Sequence, residues 1–231
     1  MENNIVTEDK KSNFNLKKEI FEWFYTILIA VVIAIVIKTF LFDFVVVDGP
    51  SMYPTLKNGD RLIVTKLNYA PERQDIIVLD SAYKNRERYY NDMGIESDVK
   101  KFFTSFSLPD GLKKKYYVKR IIGMPGDTVD LIGNKVYVNG EELLEEYYPD
   151  YTFAYDPLVT FPLTVSENMV FVMGDNRPES KDSRSSQLGE VPMDAILGKC
   201  SLRIWPLNSV DIIEHWYMAA GKPLPLILKR R

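Results

Sequence analysis

Residues 23–37 form the one long apolar run in the chain, with no charged side chain inside it. As a helix rising ~1.5 Å per residue the run covers only ~22 Å. If Lys38 snorkels, the run extends past Thr39 through Phe40, Leu41 and Phe42 and reaches ~30 Å, one hydrocarbon core. Three readings compete: a cleaved signal peptide, a helix buried in a protein core, and a transmembrane anchor. All faces of the run are apolar, which keeps the buried helix in play. No pair of small residues follows the run, and Phe40-Leu41-Phe42-Asp43-Phe44 is a poor cleavage site. The expectation is an anchor over 19–42, preceded by a tail over 1–18 and followed by a domain over 43–231.

Beyond the anchor the pattern changes to short β-branched stretches broken by Gly, Asn and Pro. Residues 44–47 read as a strand ending at Asp48-Gly49-Pro50. Residues 61–65 follow Asn58-Gly59-Asp60, and residues 75–79 form another strand. A strand over 116–122 stops at Gly123-Met124-Pro125-Gly126-Asp127. Residues 129–132 and 135–138, with Gly133-Asn134 between them and Asn139-Gly140 after, read as a hairpin array. Residues 169–173 end at Gly174-Asp175-Asn176. The expected fold is mainly β, a mixed barrel or sandwich. Two charged stretches, a partly helical one over about 83–115 and a second over 146–162, look like insertions that make a smaller lobe. The C-terminal stretch 224–228 is too short to span a bilayer.

Composition narrows the picture. The 231 residues carry a formal net charge of −3, which argues against nucleic acid as the main partner. The 14 Tyr and 12 Phe favour strands. Lys10, Lys11, Lys17 and Lys18 precede the apolar run and only Lys38 follows it closely, so the N-terminus is expected in the cytoplasm and the domain outside. A lone cysteine, Cys200, excludes an intrachain disulfide.

Ser51 lies shortly beyond the apolar run, a candidate nucleophile just outside a membrane. A hydroxyl attacks an amide at neutral pH only when a base takes its proton. The single histidine, His215, has no motif around it. A lysine base is the remaining option, and Tyr117-Val118-Lys119-Arg120 offers one, Lys119, in a strand-like segment. An exposed lysine has a pKa of ~10.4 and is only ~0.1% neutral near pH ~7.4. Apolar neighbours that desolvate the ammonium lower that pKa.

Four stretches carry a resemblance: Gly49-Pro50-Ser51-Met52-Tyr53-Pro54-Thr55-Leu56, Asn58-Gly59-Asp60-Arg61-Leu62-Ile63-Val64, Tyr117-Val118-Lys119-Arg120-Ile121-Ile122-Gly123-Met124-Pro125-Gly126-Asp127, and Gly174-Asp175-Asn176-Arg177-Pro178-Glu179-Ser180-Lys181-Asp182-Ser183-Arg184. In that order after one anchor, they resemble the bacterial type I signal peptidases of Gram-positive type. The resemblance implies a β catalytic domain and a Ser/Lys dyad, with Ser51 as nucleophile and Lys119 as general base. It also implies that Ser180 orients the lysine amine and that Asp175, Asp182 and Arg184 hold the active-site loop by ion pairing. Gly49 stands where some members carry a serine that donates to the oxyanion. Secretory precursors are the implied partners, bound as an added strand with small residues in shallow pockets, and membrane lipid is the implied surroundings. Met52, Leu56, Tyr117 and Val118 are candidate pocket walls. No cofactor is implied, and no His or Cys joins the acidic residues as a metal site. A Ser/Lys processing protease with another target, a catalytically silent membrane scaffold and a β-rich binding module remain as alternatives.

Overall fold

The computed structural model describes residues 16–67, 69–145 and 156–213 of the chain. The tail 1–15, most of the stretch 146–162, His215 and residues 224–228 lie outside the described residues. The chain divides into two units, Met1–Leu41 and Phe42–Arg231.

In the first unit α1 spans Leu16–Val36 and continues as a π-helical turn over Ile37–Leu41. Neither Pro nor Gly interrupts it, so nothing breaks the i to i−4 ladder. The apolar stretch Lys17–Leu41 has 25 residues, none of the span is buried, and its length of ~37 Å exceeds a bilayer's hydrocarbon core. That exposure removes the reading of a helix buried in a core. Side chains such as Phe21 and Trp23, each 70% exposed, would each cost about 1.5–3 kcal/mol to hold in water.

The second unit is built on antiparallel sheets. Its strands are β1 Phe42–Val46, β2 Arg61–Thr65, β3 Ile76–Asp80, β4 Tyr116–Gly123, β5 Thr128–Ile132, β6 Lys135–Val138, β7 Glu141–Glu142, β8 Leu163–Thr164, β9 Met169–Met173, β10 Val191–Pro192, β11 Ile196–Trp205 and β12 Asp211–Ile212. The large sheet runs β1-β2-β11-β3-β4-β9-β10, with β12 on β11. The small sheet runs β7-β6-β5-β8.

Burial follows the period of two. Leu62 and Val64 of β2 are fully buried while their neighbours are less so. Every residue of β3 is buried, because both of its faces are covered. Ile76 and Val78 join Met52, Leu56, Leu62 and Cys200 in one cluster. Ile77 and Leu79 join Ile121, Val170 and Val172 in another. Ile122, Val129 and Phe171 belong to a third cluster that includes residues of both sheets.

The smaller second sheet is built by the hairpin array. Asn139 and Gly140 both have positive φ, the backbone that a two-residue hairpin turn requires, and they fold β7 back onto β6. The stretch 83–115, expected to be partly helical, forms α2 Tyr83–Asp92, α3 Asp98–Ser105 and a short 3-10 turn. Asp80 ties both ends of this insertion to the sheet. Its carboxylate accepts from the Ala82 and Lys115 backbone N–H groups and pairs with buried Arg86 at 2.5 Å.

Candidate active site

Ser51 sits in the turn between β1 and β2. The turn is set by its own polar groups: Tyr53 N–H donates to the Pro50 carbonyl, Leu56 N–H to Met52, and Gly49 N–H to the Asn58 side chain. Gly49 has φ +95°, a conformation that disfavours a Cβ. The apolar residues of the turn anchor it, since Met52 and Leu56 are 0% and 1% exposed. These two, expected as pocket walls, therefore pack in the core under the turn.

Lys119 projects from β4, opposite Ile77 of β3. The residue is 3% exposed. Its Nζ lies 2.8 Å from Ser51 Oγ and 2.9 Å from the Val118 carbonyl oxygen. The Tyr117 ring lies 5.2 Å from the same nitrogen. Burial lowers the lysine pKa to about 8, while the carboxylates of Asp182 and Asp175 act in the opposite direction and Arg184 adds to the lowering. An amine with that pKa is a usable base near neutral pH.

The loop after β9 closes behind the serine. Asn176 N–H donates to the Ser51 carbonyl at 3.0 Å, and the Asn176 side chain to the Pro50 carbonyl at 3.1 Å. Gly174 permits this approach: a Cβ there would collide with the Ser51 carbonyl oxygen and Ser180 Oγ. Ser180 Oγ is buried without a hydrogen-bond partner, so the structure puts it beside Gly174 and does not bond it to Lys119.

Asp175 and Asp182 each take a bidentate arginine. Arg120 Nε and a terminal nitrogen meet Asp175 at 2.8 and 2.6 Å, and Arg184 meets Asp182 at 2.9 and 2.8 Å. Asp182 also accepts the Gly174 N–H at 2.9 Å. Thr55 Oγ1 donates to Asp175 at 2.6 Å, which links the turn that carries Ser51 to the loop. Sequence reasoning missed Arg120, Thr55 and Arg177. Arg177 is buried, donates to the Gly174 carbonyl and pairs with Glu145. The signal available was a charged residue inside an apolar strand, since Arg120 precedes Ile121-Ile122. Among the described residues no three His, Cys, Asp or Glu side chains gather as a metal site.

A groove of about 550 Å³ runs past the Ser51–Lys119 pair. One wall is β1 with residues 44–48, and the other is residues 116–119 of β4, which brings Tyr117 and Val118 to the groove. Both walls carry unpaired strand edges. β1 ends the large sheet, and β4 pairs with β9 only from Arg120 onward.

The profile of the family described as "Signal peptidase, peptidase S26" matches residues 20–205. Signal peptidase I of Bacillus licheniformis is 34% identical over 89% of this chain and 98% of its own length. Signal peptidase I S of Bacillus subtilis (strain 168) is 36% identical over 87% of this chain and 97% of its own. A solved structure of a signal peptidase I from Enterococcus faecalis is 28% identical, covers 57% of this chain and 97% of its own, and has a TM-score of 0.36. On the sequence matches, which run along most of its length, the chain belongs to the signal peptidase family, peptidase S26.

Proposed function

We propose that this protein is a membrane-anchored signal peptidase I that cuts signal peptides from secretory precursors, with Ser51 as nucleophile and Lys119 as general base. The observation that carries the assignment of roles is the 2.8 Å contact between Ser51 Oγ and the Nζ of a lysine that is 3% exposed. As a neutral amine Lys119 accepts the Ser51 proton while Oγ attacks the scissile carbonyl carbon. The ammonium then gives that proton to the leaving amine as the C–N bond breaks, leaving an acyl ester on Ser51. Lys119 next takes a proton from a water that attacks the ester carbonyl, then gives that proton to Ser51 Oγ as the ester C–O bond breaks, which restores the free serine and the neutral amine. The Ser51 N–H is the donor for the oxyanion, and Gly49 adds no side-chain hydroxyl. The Val118 carbonyl, 2.9 Å from Nζ, orients the amine in this structure; Ser180, with its hydroxyl buried and unpartnered beside Gly174, is the proposed second orienting group, and the Asp175 and Asp182 ion pairs hold the loop.

The unpaired edges of β1 and β4 support binding of the precursor as an added strand, read by backbone hydrogen bonds and by shallow pockets for small side chains. Tyr117 and Val118 form part of the wall. The proposed layout is a cytoplasmic tail over 1–18, an anchor over 19–42 and an extracytoplasmic domain over 43–231. Membrane lipid surrounds the anchor. Nucleic acid and cofactors have no role. Cleavage of a precursor with a signal peptide, by wild type beside Ser51→Ala, tests the reading. Equal cleavage by both removes Ser51 as nucleophile.

A further inference from the structure

The insertion over 83–115 carries an apolar face that the catalytic proposal does not use. At 100° per residue, Val99, Phe102, Phe103 and Phe106 share one arc of a helical wheel, with Lys101 on the far side. All four are exposed, by 65%, 60%, 67% and 72%, and α3 has no buried residue. The rings form a fixed cluster, with Phe102 edge-on to Phe103 and Phe106 at centroid distances of 5.5 and 5.2 Å. The opposite side of α3 is held to α2. Lys101 Nζ pairs with Glu87 at 2.7 Å and lies 5.5 Å from the Tyr90 ring. The aromatic face is thus presented outward on a braced helix.

Charge and register identify what covers it. Residues 83–115 carry eight Lys or Arg and five Asp or Glu, an excess of positive charge in a chain of net −3. Lys100, Lys114 and Lys115 are exposed. Strand register then locates the insertion. Phe42 pairs with Thr65, Thr65 with Lys199, Lys199 with Ile77, and Ile77 with Lys119. β3 runs antiparallel to β1, so Asp80 and Tyr116 lie beyond that row on the side from which β1 enters the sheet. The insertion therefore leaves the sheet at the end where β1 begins.

We propose that α3 is a second membrane contact, its Val99–Phe102–Phe103–Phe106 face lying in the interface of an anionic bilayer with the surrounding lysines at the headgroups. This rests on the anchored reading given above. It goes beyond that reading because a single spanning helix leaves the domain free to swing, whereas a second contact at the β1 end of the sheet limits its orientation. The aromatic face supplies apolar burial and the lysines supply attraction to acidic lipid.

The test uses the full-length protein in vesicles of phosphatidylcholine and phosphatidylglycerol. A nitroxide is attached at Phe103→Cys, or at Ser105→Cys as the exposed polar-face control. Cys200 is 0% exposed, so labelling is confined to the new cysteine. The expected result is a several-fold lower collision rate with a water-soluble nickel chelate at position 103 than at 105, with oxygen collisions reversed and a depth of about 5–10 Å. Equal access of the nickel chelate to both positions overturns the proposal. Shielding of position 103 from both reagents also overturns it and assigns the face to a second copy or another protein. Carbonate extraction of the same vesicles reads the anchor independently. Cleavage of a short peptide in detergent reads the Ser51 and Lys119 assignment, so each failure is separately visible.

Discussion

At the scale of the residue, the proposed chemistry rests on one proton and where it sits. Ser51→Ala removes the nucleophile and Lys119→Met the base, and each is expected to lower cleavage by ~10³-fold or more. Circular dichroism matching wild type shows that the loss is chemical. Cleavage near wild type by either folded variant removes that residue from the mechanism. Lys119 titrates near 10.5 in the unfolded chain and about 8 in the fold, mainly because burial disfavours the ammonium. The rate on a short peptide should therefore rise about tenfold per pH unit at acid pH and level off above pH 8. A flat profile argues against a lysine base. The same shift bears on stability with a definite sign. Between about pH 8 and 10.5 the unfolded chain binds a proton that the folded chain does not, so this group's contribution to stability rises with pH there. Below pH 8 both states hold the proton, and the fold carries the full cost of a buried ammonium, on the order of 3 kcal/mol. Lys119→Met is thus expected to melt higher than wild type at pH 7, with the gap narrowing from pH 8 to 9.5. A variant that melts lower at pH 7 contradicts the desolvation account.

At the scale of the element, β4 holds the site together because neighbouring side chains on a strand point to opposite faces. Lys119 reaches Ser51, while Arg120 reaches Asp175 at 0% exposure. Truncating one partner of such a pair leaves the other charge buried and unpaired. Asp175→Ala is expected to cost about 3–5 kcal/mol in urea unfolding, and the double variant Arg120→Met with Asp175→Leu should recover part of that. A loss equal to that of an exposed pair would mean that water reaches Arg120. The loop after β9 gives a second prediction at this scale. Gly174→Ala forces its Cβ onto the Ser51 carbonyl and Ser180, so Ser51 must shift. Cleavage should fall about 10²-fold with little change in far-UV circular dichroism. Unchanged kinetics would show that the turn and the loop move together without harm.

At the scale of the whole molecule, the long exposed apolar helix is consistent with a membrane span, and the proposed outward direction rests on the lysine distribution. A reporter enzyme active only outside the cell, fused after Arg231, is expected to work, and protease added to right-side-out vesicles is expected to digest the β domain. Protection of the domain reverses the topology. The β domain itself is tied together by contacts between distant segments. The Ser51–Lys119 contact joins residues 68 apart, and Arg120 and Asp175 are 55 apart.

From sequence alone came the apolar helix, the major strands and the family, because each is written in a local pattern: an uncharged run, an alternation of period two, and motifs a few residues long. The proximity of Ser51 and Lys119 was legible only through resemblance, since no spacing along the chain specifies it. Tertiary structure decided the rest. Met52 and Leu56 went to the core because the turn after β1 folds onto the face that carries Leu62 and Ile76. The second sheet gathers β5 to β8, with Asn139-Gly140 closing the β6–β7 hairpin, while the charged stretch 83–115 was pinned to the large sheet by Asp80 and Arg86. Arg120 follows Lys119 in an apolar strand without a local partner in sequence, and the arrival of Asp175 from a distant loop made its burial possible. Burial and ion pairing depend on which segments meet in space, and a chain's local pattern does not record those meetings.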